Sequence, residues 1–236
     1  MKTILSFDIA AQPDDTTCGP TCLHSVYLYN NDLVGLDEVI AEVEMLQEGG
    51  TLAVNLGCHA LHRGYHTMLY TYDLNIFDPT WFVEGYPCVD LQDKLNRQLT
   101  YKKDPKFVYA TKLYQEYLSL GGVVKYEELS GTLLRKYLKA GTPILTGLSA
   151  TYLYNDAREI DDDHDDLKGY PAGHFVVLSG YERASRMVHI SDPLLSNPYS
   201  NHQYTVHMSK LIGAIMLGIV TYDANILVIE PVKKNL

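Results

Sequence analysis

The hydrophobic pattern of this chain changes character near Gly141, from mainly helical to mainly strand-like, and that change limits what it can fold into. Before it, apolar residues recur at helical spacing. Residues 18–30 place Leu23, Val26 and Tyr27 on one face, with Thr17 positioned to cap and Pro20 suited to the first turn. A helix is expected over 36–46 after Gly35, and another over 51–62 that stops near Gly64. Residues 66–79 have the mixed alternation of a strand, and 91–118 read as helical. Residues 130–141 open on a Ser cap and end in Gly, the clearest helix signal of the chain. After it, the runs 142–154, 174–182, 186–193 and 225–231 are β-rich and bounded by Gly, Pro and Asp. Helices first and strands later predict an α+β protein. A helical half, about 1–141, packs on a C-terminal antiparallel sheet, about 142–236, in a single domain.

Composition narrows the function. A chain of 236 residues with 46% hydrophobic and 20% charged residues can bury a full core. Its net charge of -10 argues against nucleic acid and anionic membranes as partners. The apolar run at the N-terminus is interrupted by Asp8, and the apolar run at 211–222 is too short for a span and reads as core. Cysteines 18, 22, 58 and 88 are too few and scattered for a disulfide framework, so reduced thiols and a cytoplasmic location are expected, with no cofactor and no metal.

Cys18 stands at the mouth of the first expected helix. Unpaired amides and the helix dipole there favour negative charge, which is what a thiolate nucleophile needs. Gly19 keeps the backbone beside the sulfur uncrowded. Gln12, six residues upstream, can bring its side-chain amide beside the sulfur and, with the Cys18 backbone N–H, form an oxyanion hole. Read alone, Cys18 is equally a small buried hydrophobe and Gln12 a surface residue.

A Gln followed six residues later by Cys-Gly-Pro at a helix start resembles the bacteriocin-processing cysteine peptidases, which cut double-glycine leaders and have a papain-like fold. GHFVVLSGY at 173–181 resembles that family's histidine strand, ISDPLLS at 190–196 its Asp-Pro segment, and 51–67 more weakly the helix and Gly turn after its nucleophile. The order Gln, Cys, His, Asp is the family's. The resemblance implies a papain-like fold with Cys18 as nucleophile, His174 as general base and then acid, Asp192 as the group that orients it and Gln12 as oxyanion donor. The spacing of 18 from His174 to Asp192 fits a hairpin that brings the two together. Thr17 stands where an Asp is common in the family, and its better-known members are fused to membrane transporters. Taken singly, His174 is also a satisfied core histidine on a sheet, and Asp192 before Pro193 a turn former.

Other constellations compete. Cys22 lies one turn after Cys18 and reads as core. Cys58, His59, His62 and His66 have spacings that suit zinc, but no further ligand completes them and structural or solvated histidines are expected. The acidic segment 155–169 is expected as a surface loop, with a lid over the cleft or a calcium site as the sharper readings. The 19 tyrosines of the whole chain would suit either a peptide-binding groove or an ordinary core. The function expected is a cysteine peptidase or amidase acting on a peptide or protein substrate. An acyl or peptidyl transferase on the same site and a non-catalytic peptide-binding module are the alternatives.

Overall fold

The computed structural model describes residues 2–46, 49–160, 163–222 and 224–232. Helix α1 (Cys18–Tyr29) begins and ends where its pattern does, while α2 (Leu36–Glu42) stops early because Val43 turns extended. Helix α3 (Ala53–His62) matches its expected span. The stretch 91–118 is two helices, α4 (Leu91–Tyr101) and α5 (Pro105–Ser119). Asp104 caps the second through the Phe107 amide, and Pro105 takes its first position. Helix α6 (Gly131–Ala140) has both expected end signals: Ser130 Oγ accepts from the Leu133 amide, and Gly141 adopts φ 84°.

Two helices occupy stretches that read otherwise. In 142–154, expected as strand throughout, α7 (Ala150–Tyr154) starts where Ser149 Oγ accepts from the Tyr152 amide and ends at left-handed Asn155. Helix α8 (Met208–Leu217) takes in much of the apolar run at 211–222 and buries Met208, Leu211, Ala214 and Ile215.

Strands β1 (Lys2–Ile4) and β2 (Tyr65–Thr71), and the short hairpin β3 (Phe82–Val83) and β4 (Tyr86–Pro87), precede α4. Strand β5 (Val123–Lys125) follows α5, and β6 (Ile144–Ser149) follows α6. Next come the small hairpin β7 (Glu159–Ile160) and β8 (Asp163–His164), then β9 (Gly173–Glu182), β10 (Met187–Ser191), β11 (Gln203–His207) and β12 (Asn225–Pro231). The main sheet runs β11-β10-β9-β6-β12-β2-β5, with β1 also paired to β9. Its pairings are antiparallel except that of β2 with β5. The α+β expectation is met, and β1, β2 and β5 enter the sheet from the stretch before residue 142.

Alternate residues of the central strands face opposite sides. Leu69, Leu145, Phe175, Val177 and Leu227 join one core with residues of α1, α3 and α5. Tyr70, Ile144, Val176, Leu178 and Ile226 join the other with residues of α6 and α8. Helices therefore cover both faces, which is why β6, β9 and β12 read as nearly continuous apolar runs. Each fully buried large apolar side chain contributes about 1.5–3 kcal/mol, so these two layers hold β9 in place from both sides.

Strand β9 positions the site. Its first half pairs with β6, from Ser149 opposite Gly173 to Ile144 opposite Leu178, and its far end pairs with β1. On the other edge β10 returns antiparallel, with Ser191 opposite Val177. The chain leaving β10 thus comes back toward the first residues of β9. A bulge at Ser179 shifts the register, so that His189 faces Gly180 and Ile190 faces Leu178.

Candidate active site

Cys18 is the first residue of α1, and Gly19 shows why the helix can lie so close to the sheet. A Cβ on Gly19 would meet Thr51 Cγ2 at 2.5 Å and both Leu56 and Phe175 at 3.3 Å. One turn on, the Cys22 thiol donates to the Phe175 carbonyl at 3.3 Å, so Cys22 belongs to the buried contact between α1 and β9. Thr17 occupies the cap position without capping: its hydroxyl donates to the Asp14 carbonyl at 3.1 Å. Thr17 therefore offers no side-chain acceptor to the first amides of α1.

His174, the second residue of β9, is buried, and its Nε2 lies 2.8 Å from Asp192 Oδ1. Cys18 lies close enough to the same ring to act on its charge. Burial opposes the charged ring, but the hydrogen bond and charge of Asp192, aided by Cys18, hold the His174 pKa up to about 10.

Asp192 is fully buried and accepts four hydrogen bonds. Oδ1 takes His174 and the Leu194 amide at 2.9 Å; Oδ2 takes the Tyr154 and Tyr204 hydroxyls, each at 2.6 Å. Burial would raise the carboxyl, and the bonds from His174, Tyr154 and Tyr204 bring it below its usual range. The Asp192 backbone is fixed as well: its amide donates to the His202 carbonyl at 2.8 Å, and its carbonyl lies 2.7 Å from His202 Nδ1.

Gln12 reaches this region through the Asp-Pro segment, its backbone N–H donating to the Pro193 carbonyl at 3.0 Å. Its Nε2 donates to the Asp14 carbonyl at 2.9 Å, while Oε1 is buried without a partner. Gln12, Pro193 and Leu194 line a groove of about 450 Å³ with Asp14 and Asp15.

Residues 4–213 match the sequence model of the Peptidase_C39 like family, most of the chain. The chain belongs to that family. This is the membership that the neighbourhoods of Gln12, Cys18, His174 and Asp192 resemble, and it makes the chain a cysteine peptidase-like hydrolase. Fourteen solved chains match this C39-like protein in structure. A double glycine motif protease from an AMS/PCAT transporter, solved with its leader peptide, is 14% identical, with 97% of this chain and 94% of that one covered and a TM-score of 0.47. A C39-like peptidase from Bacillus anthracis is 19% identical, with 99% and 100% covered and a TM-score of 0.47. Xylellain, a cysteine protease from Xylella fastidiosa, is 15% identical, with 98% and 86% covered and a TM-score of 0.45. No curated protein matches the C39-like chain in sequence.

Sequence reasoning missed Tyr154 and Tyr204. Their only trace in the chain is a tyrosine-rich composition, which does not say which tyrosine meets Asp192. The other constellations resolve into structural roles. His59 has both ring nitrogens engaged, Nδ1 by the Tyr27 hydroxyl at 2.8 Å and Nε2 by Glu42 at 3.0 Å, so it ties α3 to α1 and α2. His62 and His66 are exposed, the latter on β2. Of the acidic segment, Asp161 and Asp162 lie outside the described residues. Asp165 accepts from the Leu167 and Lys168 amides, which makes it a turn former. No described helix is long and apolar enough to cross a membrane.

Proposed function

We propose that Cys18, His174 and Asp192 form the catalytic triad of a peptidase or amidase that hydrolyses a peptide or isopeptide-type amide bond. The observation that carries this is the buried His174 ring, held at 2.8 Å by Asp192 and acted on by Cys18 from the start of α1. His174 takes the thiol proton, and the Cys18 thiolate attacks the substrate carbonyl. His174 then returns the proton to the leaving amine, and water hydrolyses the acyl-enzyme with His174 again as base.

We assign Gln12, six residues before Cys18, as the side-chain donor of the oxyanion hole. Its amide nitrogen carries two hydrogens and spends one on the Asp14 carbonyl, which leaves the other for the oxyanion. Membership in the family supports a peptide or protein substrate. The four cysteines are free thiols, which suits a reducing, cytoplasmic setting in which Cys18 stays available.

The test is incubation with a proteome-derived peptide library and identification of new termini by mass spectrometry. Wild type is expected to generate termini that Cys18→Ala does not. Equal cleavage by both proteins contradicts the proposal. Repeating the digestion with and without an added amine separates hydrolysis from acyl transfer, because a hydrolase yields free carboxylates without the amine and a transferase needs it to turn over.

A further inference from the structure

Asp192 is more heavily engaged than orientation of a histidine requires. Its side chain has no exposed surface, and a carboxylate in that position takes up a proton unless donors compensate for lost water. Oδ1 is already used by His174 and the Leu194 amide. The remaining negative charge is met on Oδ2 by two phenols from separate elements, Tyr154 at the end of α7 and Tyr204 on β11. Both distances, 2.6 Å, fall in the range of charge-assisted O–H···O⁻ bonds.

We propose that Tyr154 and Tyr204 are positioning residues that keep Asp192 ionised with Oδ1 aimed at His174, and thereby set the acid limit of Cys18 reactivity. The proposal rests on the triad reading above. Both rings are braced for the task. Tyr204 stacks on Tyr199 with centroids 4.0 Å apart, and Tyr154 lies tilted against the His174 ring at 6.0 Å. Two phenols suit Oδ2 better than a basic residue, because they donate without bringing a second cation to compete with His174 for the carboxylate. Burial, and then the charge of Asp192, hold both phenols well above their usual range, so they stay donors wherever the enzyme works.

Titratable groups face Asp192 from several elements among the described residues. They are His174 from β9, Tyr154 from α7, Tyr204 from β11, and Cys22 from α1, with Cys18 beyond the His174 ring and His202 on the backbone carbonyl. The sign follows from this set. The phenols help lower the Asp192 pKa, so removing their hydroxyls raises it. Once Asp192 is protonated it no longer favours the imidazolium, and the thiolate–imidazolium pair is lost at a higher pH than in wild type.

The experiment is the rate of Cys18 alkylation by iodoacetamide against pH, read by mass spectrometry, in wild type, Tyr154→Phe, Tyr204→Phe and the double variant. Each single change is expected to move the acid limb upward, and the double change to move it by about one pH unit or more. In an Asp192→Asn background the same changes are expected to leave the acid limb where it is, which a purely structural role for the rings does not predict. An unmoved acid limb in the folded double variant overturns the proposal; where the double variant does not fold, unmoved limbs in both single variants overturn it equally. Wild type and His174→Ala are run alongside. Equal Cys18 reactivity in those two removes the triad and the tyrosine proposal together, whereas a His174-dependent Cys18 with unmoved tyrosine variants removes the tyrosine proposal alone.

Discussion

The Cys22 thiol donates to the carbonyl of Phe175, the residue that follows His174 on β9. This bond fixes α1 on the sheet one turn after its first residue, so the thiol of Cys18 and the ring of His174 are held by one contact between a helix and a strand. Cys22 is therefore a packing residue with a consequence for the site. Burial, reinforced by Cys18 and Asp192, pushes its own thiol well above the usual range.

The same contact depends on Gly19. In Gly19→Ala the added Cβ meets Thr51 Cγ2 at 2.5 Å, closer than such atoms pack, and Phe175 of β9 at 3.3 Å, so Thr51 or the start of α1 must shift. Unfolding by urea is expected to show a loss of about 1–3 kcal/mol. Adding Thr51→Ser, which removes that methyl, is expected to restore much of it. An unaltered midpoint in Gly19→Ala contradicts this account of how Cys18 is seated.

Much of this arrangement is legible in the sequence, and the parts that are not have physical reasons. The limits of α1 and α6 follow from periodicity and end signals that are local to the chain, and β9 and β10 stand out as apolar runs between Gly, Pro and Asp. The break between α4 and α5 is also written in the chain, as the cap and first position of Asp104 and Pro105. Helix α7 is different, because 144–154 is apolar and aromatic along its length and only the Ser149 cap separates strand from helix. In α8 a nearly uniform apolar run carries little periodicity from which to choose a helix. Tyr154 and Tyr204 lie 38 and 12 residues from Asp192, and only tertiary pairing brings them to the carboxylate.

Asp192→Asn tests the charge rather than the shape. The amide keeps the volume but cannot hold an imidazolium electrostatically, and its NH2 group confronts hydrogen-bond donors on one side. Cleavage of peptides identified with wild type is expected to fall about 100-fold or more. The urea midpoint is expected to drop by about 1–3 kcal/mol in stability. Near-wild-type cleavage by Asp192→Asn places the orienting role elsewhere.

The His174–Asp192 pair also predicts how stability varies with pH. The folded pKa of His174 is raised from 6.5 to about 10, so its contribution is complete below about pH 6.5 and is lost as pH rises through about 10. Gln keeps a donor for Asp192 but cannot be protonated. The difference in urea midpoint between wild type and His174→Gln is therefore expected to be largest near pH 6 and to shrink toward pH 10. A difference independent of pH means that the ring does not gain its proton from this pairing.

The central claim is that Cys18 and His174 act as a thiolate–imidazole pair, and alkylation at each cysteine against pH, in wild type and His174→Ala, tests it most directly. The chain supplies its own controls. Cys88 is exposed; Cys22 is fully buried; and Cys58 is pushed up to about 12 by burial, and then by Glu116 and Glu44. The account predicts that below pH 7 Cys18 outpaces Cys88 despite its burial, that Cys22 and Cys58 stay unmodified, and that Cys18 loses its advantage in His174→Ala. If Cys18 instead rises with pH in step with Cys88 in both proteins, there is no thiolate–imidazole pair, and the groove serves binding without catalysis.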